Sequence, residues 1–205
     1  CGGLALGFHQ AGFETALANE LHIDPATTYS RNLIPDCEER MLVGPIEDRL
    51  SDRVLEEKGI RNFEIDCIAG GPPCQGFSMA GRGNPDDPRN ALFREYLRVV
   101  SRILPKAVIF ENVPGFANRY GLRLRKKLEQ RLSELGYITD SGVLEARDYG
   151  VPQLRRRFIC IGVHKEFIDS GEVSLPDPTW SESRIESDLT ARKVIGDLDV
   201  YSERG

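Results

Sequence analysis

A short apolar run, a turn and a helical pattern recur along the chain, and this alternation restricts the fold more than any other feature. Apolar runs at residues 63–69 and 107–110 are followed by helical patterns at 91–103 and 122–135. The second run is almost wholly apolar, as expected of a strand buried on both faces. Strands that alternate with helices are typical of a mostly parallel sheet with helices on both faces. The sequence therefore predicts an α/β fold.

Weaker patterns complete the predicted order of elements. Gly12, Gly59 and Gly136 follow three helical patterns, and glycine readily takes the left-handed conformation that ends a helix. Asp24 and Pro25 suit the N-cap and the first position of a further helix. The remaining predicted helices cover residues 4–10, 24–32, 48–58 and 191–198, and the remaining strands cover 13–18, 40–43, 137–146 and 158–163.

Composition argues against several classes of protein. The 205 residues fit one domain, and 40% hydrophobic with 29% charged residues are ordinary values for a globular protein. No uninterrupted apolar stretch approaches the roughly 20 residues of a membrane span, so we expect a soluble, cytoplasmic protein. The net charge of −5 argues mildly against nucleic-acid binding, although basic residues cluster at 119–131 and 155–157. The first cluster is more typical of a solvated helix surface.

The cysteines favour a reducing compartment. Their number, five, is odd, and no two are spaced as CxxC, which fits neither a disulfide framework nor a structural zinc site. We therefore predict no metal site, and one cysteine becomes a candidate reactive thiol. The five are Cys1, Cys37, Cys67, Cys74 and Cys160.

One of these cysteines lies in the most informative segment of the chain. Cys74 follows a predicted strand within Gly70-Gly71-Pro72-Pro73-Cys74-Gln75-Gly76-Phe77-Ser78. Open α/β sheets place ligands at the carboxyl ends of their strands, where this cysteine falls. A cysteine after a strand is usually a small buried apolar residue, but the polar and flexible residues around Cys74 do not suit a core. The segment therefore predicts a functional thiol.

A carboxylate occupies the corresponding position of the next predicted strand. Glu111 begins the segment Glu111-Asn112-Val113-Pro114, directly after the apolar run at 107–110. If the two strands are neighbours, Glu111 lies beside Cys74 and can hold or donate a proton. Taken alone, Glu111 fits a surface acid that caps the next turn equally well.

Three polar side chains precede the last predicted strand. In an extended segment Gln153, Arg155 and Arg157 share one face, because side chains alternate with a period of two. Facing inward, they would be costly to bury without partners. Pairing with Glu111 and with a bound anion or base is a natural solution. Taken alone, the segment fits a solvated edge strand better.

In this order and spacing, the three segments resemble the PCQ, ENV and QxRxR motifs of the DNA (cytosine-5)-methyltransferase family of the bacterial type. Further stretches that resemble the family lie at residues 1–8, 90–93, 175–179 and 194–198. The resemblance covers nearly the whole chain. It implies a Rossmann-like fold, S-adenosylmethionine as methyl donor with S-adenosylhomocysteine as product, and methyl transfer to C5 of a cytosine in double-stranded DNA.

The resemblance also implies a role for each motif. Cys74 adds to C6 of a cytosine flipped out of the duplex, and Glu111 hydrogen-bonds N3 and the exocyclic amine of that base. Arg155 holds Glu111 in place, while Arg157 reaches the carbonyl oxygen of the base. Further substrate contacts are implied for Pro73, Gln75, Gly76, Ser78, Val113 and Gln153.

The expected cofactor site draws on the start of the chain and on several strand ends. The resemblance implies that backbone groups of Gly2, Gly3 and Leu4 face the methionine moiety. It also implies that Glu20 binds the ribose hydroxyls, as an acid does in dinucleotide folds. Further contacts are implied for Ile46, Pro72, Asn90 and Leu92.

The same resemblance divides the chain in two. Residues 1–170 form a catalytic and cofactor-binding domain, and residues 171–205 lead toward a target-recognition domain. No strand precedes the glycine turn at the start, so we expect a fragment that lacks its first strand and is inactive or very weak alone. Gly44-Pro45-Ile46 stands where the family commonly has Gly-Asp-Ile, and it offers no carboxylate to the adenine amine.

Other functions stay open at this point. RNA cytosine methyltransferases share the fold, and a non-catalytic relative could keep it, although intact Cys74, Glu111 and Arg155 count against a scaffold. A thiol redox protein is disfavoured because Cys74 lacks a nearby resolving cysteine. In the cell, a DNA methylase of this kind acts on nucleoid DNA, either beside a cognate restriction endonuclease or as an orphan enzyme.

Overall fold

The computed structural model describes residues 2–73, 91–118, 121–169 and 171–180. The helices are α1 (Gly3–Gln10), α2 (Ile23–Leu33), α3 (Ile46–Arg49), α4 (Asp52–Glu57), α5 (Ala91–Ile103) and α6 (Leu122–Glu134). The strands are β1 (Ala18–Glu20), β2 (Met41–Val43), β3 (Cys67–Gly70), β4 (Ala107–Asn112), β5 (Tyr137–Glu145) and β6 (Arg156–His164). The predicted helix at 191–198 and the predicted site residues Cys74, Gln75, Gly76, Ser78 and Asn90 lie outside the described residues.

The strands form two sheets. β1 pairs with β2 in parallel, and the second sheet has the order β3-β4-β6-β5. Within it β3 and β4 are parallel, whereas β6 runs antiparallel to both β4 and β5. Half of the described strand pairs are therefore antiparallel. The reason is the short connection between β5 and β6, since a parallel return requires a crossover of a dozen or more residues.

The two faces of the larger sheet differ in burial. Along β4, Val108, Phe110 and Asn112 are buried, whereas the alternating residues, including Ile109 and Glu111, are only half-buried. The expectation that this strand is buried on both faces is therefore wrong. One face carries the core, and the other, called here the half-open face, carries polar groups at its carboxyl end.

Helices α5 and α6 cover the buried face. Phe110 lies at the centre of this core, in ring contact with Phe93, Tyr96, Phe116 and Phe158. Three leucines spaced four residues apart place one stripe of α6 on the same core, as an amphipathic helix requires; they are Leu124, Leu128 and Leu132.

The first strand begins later than expected. Residues 13–17 were predicted to belong to it, but β1 starts at Ala18. The ring of Phe13 packs back against the ring of Phe8 in α1, with the ring centroids 5.3 Å apart. The backbone N–H of Phe13 donates to the Phe8 carbonyl. Phe13 therefore stabilises the end of α1 instead of entering the sheet.

Three further boundaries differ from the predicted ones. The helix predicted at 48–58 is split into α3 and α4, because Leu50 leaves the helical conformation with φ −121°. The N-cap of α2 is His22 and not Asp24. The strand predicted at 63–69 begins only at Cys67, because Phe63 has a φ of 62°, which a strand does not allow.

Two negative findings concern the described ranges only. No three His, Cys, Asp or Glu side chains come together there as a metal site requires. Within the same ranges, every helix falls short of the length and apolarity that a membrane span needs.

Candidate active site

Glu111 lies at the carboxyl end of β4, on the half-open face of the sheet. Its neighbour across the antiparallel ladder is Ile159 of β6. The Glu111 side chain keeps 28% of its surface exposed, so the carboxylate is held by the sheet yet remains accessible. This is the position at which an open α/β sheet presents catalytic groups.

Two arginines, one at the start of β6 and one just before it, face this carboxylate. Arg157 Nε lies 2.8 Å from Glu111 Oε1, and Arg155 Nη2 lies 3.9 Å from the same oxygen. Their side chains are 28% and 48% exposed. The resemblance implies that Arg155 holds Glu111 and that Arg157 reaches the carbonyl oxygen of the base. In the structure Arg157 makes the closer contact.

Strand register explains this order. Since Glu111 is opposite Ile159, Arg157 is its diagonal neighbour two residues along β6, a spacing that long side chains readily cover. Arg155 is two residues further and lies before β6 begins. It therefore reaches the carboxylate only from the loop.

The chain that leads to Cys74 passes against the same carboxylate. A Cβ atom added to Gly71 would lie 2.8 Å from Glu111 Oε2, so a larger residue here would displace the carboxylate. The next residue, Pro72, accepts a hydrogen bond at 2.9 Å from Asn112 Nδ2. The described part of the cysteine motif thus ends beside Glu111, with Pro73 exposed.

Asn112 was not among the residues singled out from the sequence. It is buried, with 5% of its surface exposed, and its Oδ1 accepts the N–H of Val113 at 3.0 Å. Its side chain thereby joins the ends of β3 and β4. An asparagine in phase with the buried Val108 and Phe110 was the available signal, because a buried amide requires hydrogen-bond partners.

The remaining predicted substrate residues lie at the rim. Val113 is 42% exposed directly after β4. Gln153 is exposed as well, but it does not belong to an extended segment. Its N–H donates to Val151 O, and its carbonyl accepts from Arg155 N, so the chain turns tightly here. The predicted common face therefore applies to Arg155 and Arg157 but not to Gln153.

Several of the predicted cofactor residues lie around the smaller sheet, whereas Pro72 lies beside β4 and Leu92 lies in α5. Glu20 ends β1, its carbonyl accepts the N–H of Gly44 at 2.9 Å, and its Oε1 accepts the N–H of His22. Asn19 Nδ2 donates to Leu42 O and Gly44 O, which fixes the ends of β1 and β2 relative to each other.

Other predicted cofactor contacts lie in helices or at their starts. Gly2 precedes α1 with φ 83°, and an added Cβ would lie 2.8 Å from Leu33. Gly3 and Leu4 are exposed in the first turn of α1. Ile46 starts α3 and packs partly against the apolar cluster of Leu55. Leu92 is half-buried at the second position of α5.

Two strand cysteines are poor nucleophiles. Burial raises the pKa of the Cys67 thiol to about 12, and the neighbouring Asp66 carboxylate adds to this shift. Burial also raises the pKa of Cys160 to about 12, with a further contribution from Glu129. The reactive form of cysteine is the thiolate, so both side chains stay inert at neutral pH.

Comparison with known proteins decides the family. The model of the family described as C-5 cytosine-specific DNA methylase matches residues 1–204. The chain belongs to this family. The resemblance read from the motifs is thereby confirmed.

Two similar relatives come from bacteria. The chain is 39% identical over 184 residues to the Type II methyltransferase M1.HphI of Haemophilus parahaemolyticus, covering 88% of this chain and 47% of the relative. It is 38% identical over 199 residues to M.XorII of Xanthomonas oryzae pv. oryzae, covering 96% of this chain and 43% of the relative. The chain thus spans about half the length of these relatives.

Solved structures confirm the predicted Rossmann-like methyltransferase fold. A prophage-encoded protein of E. coli, described as a DNA modification methyltransferase, aligns with a TM-score of 0.70 and 29% identity, covering 96% of this chain and 52% of that chain. The DNMT2 of Spodoptera frugiperda aligns with a TM-score of 0.62 at 24% identity, covering 81% and 48%. At that identity, the second likeness supports the fold alone.

Proposed function

We propose that the protein transfers a methyl group from S-adenosylmethionine to C5 of cytosine in double-stranded DNA, through a covalent bond between Cys74 and C6 of the base. The observation that carries this proposal is the cluster of Glu111, Arg157 and Arg155 directly beside the described end of the cysteine motif. A carboxylate flanked by two guanidinium groups fits a pyrimidine ring, which offers both donor and acceptor edges. Family membership points to the same chemistry.

In this proposal the residues of the chain act in sequence. The Cys74 thiolate adds to C6, which places electron density on C5 and makes C5 a nucleophile. Glu111 hydrogen-bonds N3 and the exocyclic amine, which favours that electron shift. After C5 has gained the methyl group, it loses its proton, the bond from Cys74 to C6 breaks, and the thiolate returns.

The two arginines fix the positions of the Glu111 carboxylate and of the bound cytosine. Arg157, the closer partner at 2.8 Å, fixes the Glu111 carboxylate, and Arg155 has the freer side chain. We therefore exchange the two roles implied by the resemblance and assign the contact with the base carbonyl to Arg155. The target cytosine must leave the stack, because its C5 and C6 cannot be reached inside a duplex. Pro73, Gln75, Gly76, Ser78, Val113 and Gln153 remain the proposed residues around the flipped base.

The residues of the smaller sheet fit the proposed cofactor. When bound, S-adenosylmethionine supplies a methyl group activated by its sulfonium sulfur. Glu20 offers a half-buried carboxylate at a strand end whose backbone is fixed by Gly44, and ribose hydroxyls are natural donors to such a group. Gly2 has the left-handed conformation of a tight glycine turn, and Gly3 leaves its backbone open to the methionine moiety. Leu4, Ile46, Pro72, Asn90 and Leu92 complete the proposed contacts.

The test is covalent trapping on a duplex that contains 5-fluorocytosine, with the full-length protein and the methyl donor. Fluorine at C5 cannot leave as a proton does, so the final elimination is blocked and the adduct persists. We expect a protein–DNA adduct whose peptide map places the bond on Cys74. The Cys74→Ala variant should form none, while Cys67→Ala, which removes an inert strand thiol, should form it normally.

Three results would contradict the proposal. An adduct on another residue would mean that the nucleophile is assigned wrongly. An adduct on RNA but not on duplex DNA would change the substrate. No adduct across a pool of varied DNA sequences, with donor binding confirmed, would indicate a non-catalytic relative.

The cellular setting follows from the substrate. An enzyme that modifies DNA belongs with the nucleoid in the cytoplasm. Since the similar relatives are named Type II methyltransferases, we propose that a cognate restriction endonuclease is its partner. Protection of host DNA from that nuclease, lost when Cys74 is replaced by alanine, would be the evidence in cells.

A further inference from the structure

After β6 the chain turns back and runs along β5 on the half-open face. Residues 175–180, called here the strap, begin where Leu175 N donates to Asp140 Oδ2 at 2.8 Å. The Leu175 side chain then covers Gly142, where an added Cβ would lie 2.9 Å from Leu175 Cδ1. Gly142, Ile159 and Glu111 form one row across three strands. The strap therefore lies on the face that carries the candidate active site.

The far end of the strap binds the loop that carries Arg155. This arginine loop comprises residues 146–155, between β5 and β6. The N–H groups of Thr179 and Trp180 both donate to Asp148 O, each at 3.0 Å. The hydroxyl of Tyr149 donates to Pro176 O at 2.9 Å. Three hydrogen bonds thus fasten one corner of the loop to the strap.

An indole ring completes this corner. Gly150 has φ 85°, and a Cβ added to it would lie 2.6 Å from Trp180 Nε1. Glycine is therefore required there by both backbone conformation and space. The Trp180 indole packs directly against the backbone of Gly150, so the indole restricts the position of the loop.

Hydrogen bonds inside the loop connect this corner to Arg155. Gly150 N donates to Arg147 O at 3.1 Å, and Val151 N donates to Ala146 O at 3.2 Å. Ala146 N in turn donates to Arg155 O at 2.9 Å and closes the loop. A displacement at Gly150 therefore reaches Arg155 through two backbone contacts.

We infer that Trp180 is a positioning residue for methyl transfer. By packing on Gly150, it holds the arginine loop so that Arg155 stays aligned with Glu111. Catalytic alignment tolerates little error, since a displacement of about 1 Å costs up to about 100-fold in rate. This inference rests on the proposed function, because the alignment matters through the reaction at Glu111.

The test compares four variants of the full-length protein. Trp180→Ala removes the indole, Trp180→Phe keeps an aromatic ring, and Tyr149→Phe removes only the hydroxyl that binds Pro176. Phe167→Ala is the matched control, since Phe167 is another partly exposed aromatic residue, packed on Phe63 beyond the opposite end of β6. The measurements are kcat, KM for the methyl donor, the melting temperature and the hydrogen exchange of residues 146–157.

We expect Trp180→Ala to lower kcat by about 10- to 100-fold with the KM for the methyl donor unchanged. The Trp180→Phe protein should keep most of the wild-type kcat. Tyr149→Phe should give a smaller loss in kcat. Phe167→Ala should lower the melting temperature without lowering kcat. An unchanged kcat in a folded Trp180→Ala protein, or an equal loss in Phe167→Ala, would overturn the inference.

Hydrogen exchange separates this inference from the proposed function. Faster exchange across residues 146–157 in Trp180→Ala, but not in Phe167→Ala, supports the positioning role even if the wild-type protein methylates no DNA. Unchanged exchange in an active enzyme whose kcat also stays unchanged would refute the positioning role alone.

Discussion

Arg157 contacts Glu111 diagonally across two antiparallel strands, with its Nε 2.8 Å from Glu111 Oε1. Both side chains are held by regular ladder pairing and both keep 28% of their surface exposed. The ion pair is therefore fixed by strand register and does not depend on the loop, whereas Arg155 depends on the loop for its longer contact. We therefore expect the replacement of each arginine to have a different effect on catalysis.

Replacing either arginine by alanine should lower kcat, and Arg157→Ala should cost more. Without Arg157 the Glu111 carboxylate loses its close partner at 2.8 Å. Misplacing a catalytic group by about 1 Å can cost about 100-fold in rate, which we expect for Arg157→Ala. We expect a loss about tenfold smaller for Arg155→Ala, because its contact with Glu111 is longer, at 3.9 Å. The rate of methyl transfer in a single turnover, at saturating methyl donor, measures the loss in each variant. Arg125→Ala is the control, because Arg125 forms an ion pair with Glu129 at similar distance and exposure but on α6. Equal losses in all three variants would argue against a specific role.

Two adjacent glycines should behave differently when changed to alanine. In Gly71→Ala the new methyl group meets the Glu111 carboxylate, so we expect impaired catalysis with a small change in stability. In Gly70→Ala the methyl group meets the ring of Tyr96, which is 5% exposed, at 2.9 Å. Overpacking a core costs about 1–3 kcal/mol, so Gly70→Ala should lower stability more. Urea unfolding and trapping rates, measured on both proteins, test this contrast.

The buried thiols predict a loss of stability in alkaline solution. Cys67 and Cys160 ordinarily have a pKa of 9.0, and burial raises it to about 12 in the folded chain. Between these values the unfolded chain releases the thiol protons while the folded chain retains them. The free energy of unfolding must therefore fall as pH rises from about 9 toward about 12. Burial raises the pKa of Tyr96 and of Tyr137 as well, which adds to the same trend.

Urea midpoints between pH 8 and pH 11 measure this trend. The Cys67→Ala and Cys160→Ala proteins should each show a shallower decline than the wild type. Iodoacetamide should alkylate neither thiol in the folded protein at pH 8 and should alkylate both after unfolding. Rapid labelling of Cys67 in the folded state would show that its surroundings are wetter than the structure indicates.

Much of the described fold could be predicted from periodicity, because α5, α6, β5 and β6 follow strong local patterns. The helix at Ala91–Ile103 was predicted to the residue, and strands β5 and β6 within two residues. Prediction failed where tertiary contacts override the local pattern. Phe13 is apolar and looked like part of a strand, yet it packs back on Phe8. Phe63 likewise turns with a positive φ that its apolar neighbours did not indicate.

The candidate site was predictable in composition but not in arrangement. The motifs predict that Glu111, Arg155 and Arg157 lie close together. Only the strand register determines that Arg157 is the closer partner of Glu111. The strap could not be foreseen either, because Trp180 acts on Gly150 across 30 positions of sequence. Contacts between distant segments of this kind leave no periodic signal.

Asn112 should be the structural link between the two motif-bearing strands. Its amide donates to Pro72 O at 2.9 Å, and its Oδ1 accepts from Val113 N at 3.0 Å. Asn112→Asp keeps the acceptor but loses the donor and sets a carboxylate against the Pro72 carbonyl. We expect a loss of about 1–3 kcal/mol in the free energy of unfolding and a slower trapping reaction. Since the end of the cysteine motif is tied to β4 through this amide, trapping should slow even at temperatures where the variant is fully folded. Asn112→Ala removes both hydrogen bonds without adding charge. We therefore expect the Asn112→Ala protein to form the covalent adduct faster than the Asn112→Asp protein does. The opposite order would mean that the bond to Val113 matters more than the bond to Pro72.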